Sequence, residues 1–460
     1  MSRRVAEHLV ATGYDELPPE AVARAKTRLL DAVGNIVAGQ RARGNDAFAT
    51  LVTGWGGTPE ATVFLRDARI PAHNAAMVNA LMMRSYDFES VGAEAAGERA
   101  KAAHIGGTTI PVALAVGERQ AATGRDVLAA LILGDDVASR LAVASGFHTA
   151  SGGDNTGTVN ALGAVAISGK LQGFGVDEFS NGMGIALNQV SGTVANLFDL
   201  ADSFKLPQAN SARNGIFSAD LAKAGFTGPI DPIAGRFGFF DLYSPAPDAE
   251  KLVSGLGAEY NADMIIKPWS SCRAAHPSLD AAVRLADLHD LDPAAVAAVR
   301  VHVNPVTKAG FTGQDFVPDR NPEVAGMFSI RYNVAVGLVH RELRPEHLQP
   351  DVMGSAPVQA LLERIDIVDS LPRTEYQTAE VEVDFADGRT VRVRTDAPRG
   401  DIYRAPLTEA EVREKFDRNM AFGGGLDAAL AADVADLIAD FDGVADVRQL
   451  TALLAQRRAG

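Results

Sequence analysis

Apolar positions recur at helical spacing from residue 1 to about 262, and alternation of the strand type is scarce there. The runs 21–39, 74–88, 108–122 and 126–145 each predict a core helix, closed by Gly or polar residues. Their Ala and Gly content lets neighbouring helices approach closely, as in a compact bundle. The texture changes near residue 263. The segment 281–291 is helical, 296–306 alternates as a half-buried strand, and 322–343 reads as a further helix. Two alternating β-branched runs flank Ala386-Asp387-Gly388, which predicts a β-hairpin over 378–396. Helical patterning returns after residue 404, with Thr408 as N-cap and Glu411 as its capping-box partner. The expected fold class is therefore mainly α: a large helical domain from both chain ends, 1–262 and 404–460, with an inserted α/β lid over 263–403.

Composition narrows the function classes. The 460 residues carry 43 Lys+Arg against 58 Asp+Glu, a net charge of −15, which argues against a partner bound through its phosphates. A 47% hydrophobic content supports large cores rather than disorder. The single cysteine, Cys272, excludes an intrachain disulfide, a Cys₄ zinc site and an iron–sulfur cluster held by three or four thiolates. The N-terminal segment reads as an amphipathic helix rather than a signal peptide, and no apolar run is long enough for a membrane span. A soluble, cytoplasmic protein without nucleic-acid or membrane partners is expected.

Five places carry candidate chemistry. Asp87 closes an apolar helix in Arg84-Ser-Tyr-Asp-Phe-Glu89, where a carboxylate can act on protons or orient a neighbour. His104 precedes Ile-Gly-Gly-Thr-Thr at a helix start, where backbone N–H groups favour anions. His148 lies in a second small-residue loop that runs through Asp154 to another helix, without the spacing of a phosphate loop. Lys205 joins two helices. The densest run is Lys267-Pro-Trp-Ser-Ser-Cys272-Arg273-Ala-Ala-His276, in which Arg273 and His276 share a helix face. Cys272 beside Arg273 is a candidate for a depressed thiol pKa, although a lone cysteine is more often a small packing residue. No paired-histidine zinc motif is present. Basic groups gathered within an acidic chain point to a small anionic substrate, a carboxylate, and to proton chemistry without a cofactor.

The segments 31–39, 86–88, 104–118, 146–173, 184–192, 212–229, 235–240, 267–282 and 328–338 together resemble the MmgE/PrpD family, which includes 2-methylcitrate dehydratase, cis-aconitate decarboxylase and iminodisuccinate epimerase. The resemblance implies a homodimer with a metal-free site between the helical domain and the lid. It implies a catalytic set of His104, His148, Lys267, Tyr332 and Asp87, and a substrate-binding set of Lys205, Arg273, Cys272 and His276. Decarboxylases of the family carry a further histidine where Cys272 stands and a shorter loop than 92–102.

The first expectation is a lyase of a small di- or tricarboxylate that removes a proton next to a carboxylate, like 2-methylcitrate dehydratase. One of His104 or His148 would be the base, and Tyr332 would protonate the leaving hydroxyl or the carbanion. An epimerase of an imino- or amino-dicarboxylate ranks second, a cis-aconitate decarboxylase third and a non-catalytic carboxylate-binding protein last.

Overall fold

A computed structural model describes residues 1–95, 98–101, 103–146 and 152–455, with side chains except over 95–101. The long apolar runs form the helices Pro19–Gly39, Ala72–Arg84, Gly106–Gln120 and Gly124–Ala144. Small residues set how closely these pack. A Cβ at Gly39 would stand 1.8 Å from the Met82 carbonyl oxygen, so glycine there lets the first of these helices meet the end of the second.

Two apolar cores organise the described residues. One runs from Val5 to Tyr260 and takes in Phe416 to Leu454 from the chain's last helices. The other lies mainly between Trp269 and Val393, and reaches back to Tyr86, Phe88 and Phe204. Helix Glu409–Gly423 begins at Thr408, whose hydroxyl accepts the Glu411 N–H while Glu411 bonds back to the Thr408 N–H. The capping box read from the sequence therefore starts this helix. The N-terminal helix Ser2–Ala11 buries Val5, Ala6 and Leu9 in the first core.

The inserted sheet has the strand order Ile365–Val368, Val296–His302, Ala379–Phe385, Thr390–Thr395. Its last pair is the expected hairpin, antiparallel from Ala379↔Thr395 to Asp384↔Thr390. Helix His276–Leu288 packs on this sheet and on helix Ile330–His340, where Leu279 and Ala282 lie against Gly337. The run 322–343 differs from the single helix its pattern suggests. It forms Pro322–Met327 and Ile330–His340, because the Ser329 hydroxyl caps the second piece by accepting the Tyr332 N–H.

The first 262 residues also hold short strands that helical patterning hides. Ala61–Val63 pairs with Ala68–Ile70, and Val91–Ala95 pairs with both Glu98–Lys101 and Asp263–Ile265. Strands of three to five residues are too short to show clear alternation. No described helix is long and apolar enough to cross a membrane.

Candidate active site

Helix Ala72–Arg84 ends in the segment Ser85-Tyr86-Asp87-Phe88-Glu89, every residue of which is buried. Buried carbonyls need donors. Here side chains from distant parts of the chain supply them. Ser270 Oγ donates to Tyr86 O at 2.9 Å, Lys267 Nζ to Asp87 O at 2.6 Å and Lys415 Nζ to Phe88 O at 2.7 Å. Asn45 donates to Ser85 Oγ at 2.6 Å. Asp87 itself has φ +47°, a left-handed conformation that costs a non-glycine residue energy and persists where its surroundings over-determine it.

These constraints gather a compact charge cluster. Arg84 Nη1 bonds Asp87 Oδ1 and lies 3.0 Å from Glu89 Oε1. Lys267 Nζ is 3.1 Å from Asp87 Oδ2. Burial opposes the charge on Asp87, but Lys267, Arg84 and His104 outweigh it and hold the carboxyl well below its usual range. Burial likewise opposes ionisation of Glu89, and Arg84 with His104 overrides it.

His104 completes the cluster from the loop before helix Gly106–Gln120. Its Nδ1 is 2.8 Å from Glu89 Oε1, and its Nε2 is 4.0 Å from Asp87 Oδ1. The Nδ1 contact is close but poorly aligned for a hydrogen bond. An ionised carboxylate can only accept, so the proton of a neutral His104 belongs on Nδ1 and Nε2 keeps its lone pair. Burial, then the Arg84 cation, holds the imidazole below its ordinary value. The backbone is fixed as well: Asn160 donates to His104 O at 2.9 Å and Asp263 Oδ2 accepts from Gly106 N at 2.8 Å. Side-chain exposure of 17% leaves the ring one open side.

That side faces a cavity of about 330 Å³, whose lining includes Arg84, Asp87, His104, Asp154, Cys272 and Arg273. Arg273 is a buried guanidinium whose described partners are the carbonyls of Arg399 and Pro398, at 2.6 and 3.2 Å, and His276 Nδ1 at 3.2 Å. No described carboxylate pairs with it, and burial pushes its pKa down to about 10. A cavity-lining cation that no carboxylate touches, with Asp280 and Asp401 acting on it only from further off, is suited to an anionic ligand. A larger groove of about 660 Å³, lined by Tyr14, Lys26, Ile438 and Asp442 among others, contains no histidine.

Asp87, Glu89 and His104 each place a ligand atom within 4.8 Å of the others, the spacing of a metal site. Their chemistry fits one poorly, since Arg84 and Lys267 already occupy the carboxylates and a metal would have to displace or repel those cations.

Comparison with known proteins bears on the whole chain. Residues 3–252 match the MmgE/PrpD N-terminal domain and residues 269–437 the MmgE/PrpD C-terminal domain. The chain belongs to the MmgE/PrpD family. A curated relative, the cis-aconitate decarboxylase-like protein oryM of Aspergillus oryzae, is 24% identical over 470 aligned positions that cover 95% of this chain and 94% of the relative.

Within this MmgE/PrpD protein the expected site residues separate. Asp87, His104, Cys272 and Arg273 line the cavity. Lys267 lies directly beneath, fully buried against Asp87. His276 instead stands behind Arg273: its Nε2 donates to Ser271 O at 3.1 Å and its Nδ1 accepts from the guanidinium, so it orients the arginine rather than lining the cavity. Lys205 donates to Arg43 O and Asn45 Oδ1, at 2.8 and 3.0 Å, and burial pushes it down to about 8; it braces the Asn45 loop and does not line the cavity. Tyr332 is fully buried in the second core, stacked on Phe316 with its hydroxyl donating to His347 O, because Ser329 starts its helix facing inward. His148 lies outside the described residues.

The Cys272 thiol is not depressed. Burial and then Asp87 push it up to about 11, while the neighbouring Arg273 turns its guanidinium toward the 398–399 carbonyls. Residue-type reasoning also passed over Arg84 and Glu89, although both flank Asp87 in the singled-out run. Lys415 gave no local signal, since its partners Asp31 and Phe88 are hundreds of positions away.

Proposed function

We propose that this protein is a lyase acting on a small di- or tricarboxylate by proton abstraction next to a carboxylate, in the manner of a 2-methylcitrate dehydratase. The observation that carries the proposal is that His104, its Nδ1 2.8 Å from Glu89 and its imidazole held below the ordinary value, lines the same cavity as Arg273. Arg273 takes one substrate carboxylate. His104 Nε2 removes the adjacent carbon-bound proton, and the electron pair moves into the carboxylate as an enediolate that the nearby cations stabilise. Collapse forms the C=C bond and breaks the C–O bond, and the imidazolium returns its proton to the departing hydroxide as water. Glu89 stabilises the transient imidazolium, as the carboxylate of a His–carboxylate pair does.

A decarboxylase is the second reading, favoured by the likeness to the cis-aconitate decarboxylase-like protein of Aspergillus oryzae. Both readings involve a carbanion beside a carboxylate: in the dehydratase proton removal forms it and hydroxide then departs, whereas in the decarboxylase loss of CO₂ forms it and a proton is then added. Incubation in D₂O with 2-methylcitrate, citrate, cis-aconitate and iminodisuccinate, followed by NMR, tests them. An alkene formed with loss of water supports the dehydratase, and loss of CO₂ supports the decarboxylase. Deuterium gained at the α-carbon with the skeleton intact identifies an epimerase. No exchange or conversion with any of the four rejects the proton-abstraction proposal.

A further inference from the structure

The cavity has two unlike sides. Its charged side holds His104, Asp87, Arg84 and Arg273, but much of the remaining wall is apolar: Val194, Leu197, Val306, Phe311 and Phe328. Polar side chains, Asn155, Thr156, Thr307 and Gln377 among them, also line the cavity, so the apolar residues form a strip along it rather than the whole of the remaining wall.

The apolar wall also continues outward. Phe328 meets Phe311 edge to face at 5.6 Å, and Phe311 meets Phe198 in the same way at 5.8 Å. Phe198 is 51% exposed, beside the half-buried cavity residue Leu197 on the short helix Ala195–Phe198. At its inner end Phe328 packs on Phe204 at 5.5 Å, and the Arg84 guanidinium lies 5.0 Å from the Phe204 ring. A continuous row of rings thus joins the charge cluster to the surface. Among the described residues, Arg273 is the cavity cation that no carboxylate pairs with, so the charged side has one clear place for a carboxylate.

We infer that the substrate carries an apolar arm, an alkyl chain of several carbons on its carboxylate core, which runs along Leu197, Phe311 and Phe328 toward Phe198. This deepens the proposed function and rests on its assignment of a substrate carboxylate to Arg273. The carboxylate fixes the reacting carbon beside His104, and the arm sets chain-length preference by removing apolar surface from water.

The test is binding, so it does not depend on which reaction occurs. Succinate and methyl-, butyl-, hexyl- and octylsuccinate are titrated calorimetrically into the full-length protein. Affinity is expected to rise roughly threefold to fourfold per added CH₂ over the first several carbons, the factor for burying a methylene. Phe311→Ala and, separately, the milder Leu197→Ser should flatten that rise in protein whose circular dichroism and succinate affinity match the parent. One affinity at every chain length overturns the apolar arm and leaves the carboxylate site standing. A rise that neither variant alters places the chain elsewhere and also overturns it. Failure of every member to bind overturns both the arm and the carboxylate assignment.

Discussion

Lys267 grips Asp87 at two points, its carbonyl oxygen at 2.6 Å and its Oδ2 at 3.1 Å. One ammonium thereby fixes both the main chain and the side chain of a residue in the left-handed region. Lys267→Met removes that grip and leaves Asp87 buried with less compensation. Loss of one partner of a buried pair typically costs about 3–5 kcal/mol. Chemical denaturation of the variant should show a loss of that size, together with loss of turnover. Unchanged stability would mean that the clamp does not hold the loop.

Glu89 sets the state of His104. Burial first, then Arg84, depresses the imidazole, while Glu89 acts in the opposite sense and raises it. In the parent protein the acid limb of kcat/KM should therefore fall below pH 6.5, the ordinary histidine value, with the neutral base available above it. Glu89→Gln removes the raising charge, so the limb moves to lower pH. The variant also loses imidazolium stabilisation, and kcat should drop by roughly 10²-fold or more. A limb that stays in place under a pH-rate titration counts against His104 as the base.

Arg273 and His276 should behave as anchor and support. Arg273→Met is expected to weaken binding of succinate by roughly 10–100-fold, the range of a charge-assisted hydrogen bond. His276→Ala should raise KM in the same direction by a smaller factor, since it removes only the acceptor behind the guanidinium. Titration calorimetry and initial-rate kinetics on both variants check the order.

Tyr332→Phe separates the resemblance from the geometry. The hydroxyl donates to His347 O inside the second core, so its removal should cost about 1 kcal/mol of stability and leave kcat within a few fold. A drop of a hundredfold or more in kcat with stability retained would restore Tyr332 to the catalytic set.

Asp263 gives a stability signature. Burial first pushes its carboxyl up to about 7, although Arg28 and the Gly106 N–H pull the other way. A folded-state value above the unfolded one means that the folded state binds a proton as the pH drops. Its contribution is then fully present below the unfolded value and is lost as pH rises through 7. Between pH 5 and pH 8 the parent should lose about 2–3 kcal/mol on this account. Asp263→Asn keeps an oxygen for the Gly106 N–H and should remove that slope, which denaturant titrations at the two pH values will show.

The sequence made much of this legible where chemistry and local pattern coincide. The four long helices, the 378–396 hairpin and the Thr408–Glu411 box follow from periodicity and capping. His104, Asp87, Cys272 and Arg273 were readable as a group because loops at element ends gather chemistry, and the cavity brings them together. Lys205, His276 and Tyr332 were chosen by residue type and motif, which do not tell which way a side chain turns. Lys205 and Tyr332 turn toward acceptors outside their own motifs, Arg43 O and His347 O, and His276 turns back to Ser271 O within its own. Arg84 and Glu89 were overlooked for a related reason, since ions that neutralise one another inside a protein look in sequence like an ordinary polar helix end.

The clamp on Phe88 has a temporal side. Lys415 closes that carbonyl from 327 positions further along the chain. A growing polypeptide therefore makes Arg84, Asp87, Glu89 and His104 early in synthesis, yet cannot lock their loop until its last helices have left the ribosome. Until then the Phe88 carbonyl has only the long 3.4 Å contact from the Asn35 amide, and the charge cluster lacks one of the donors that fix its loop.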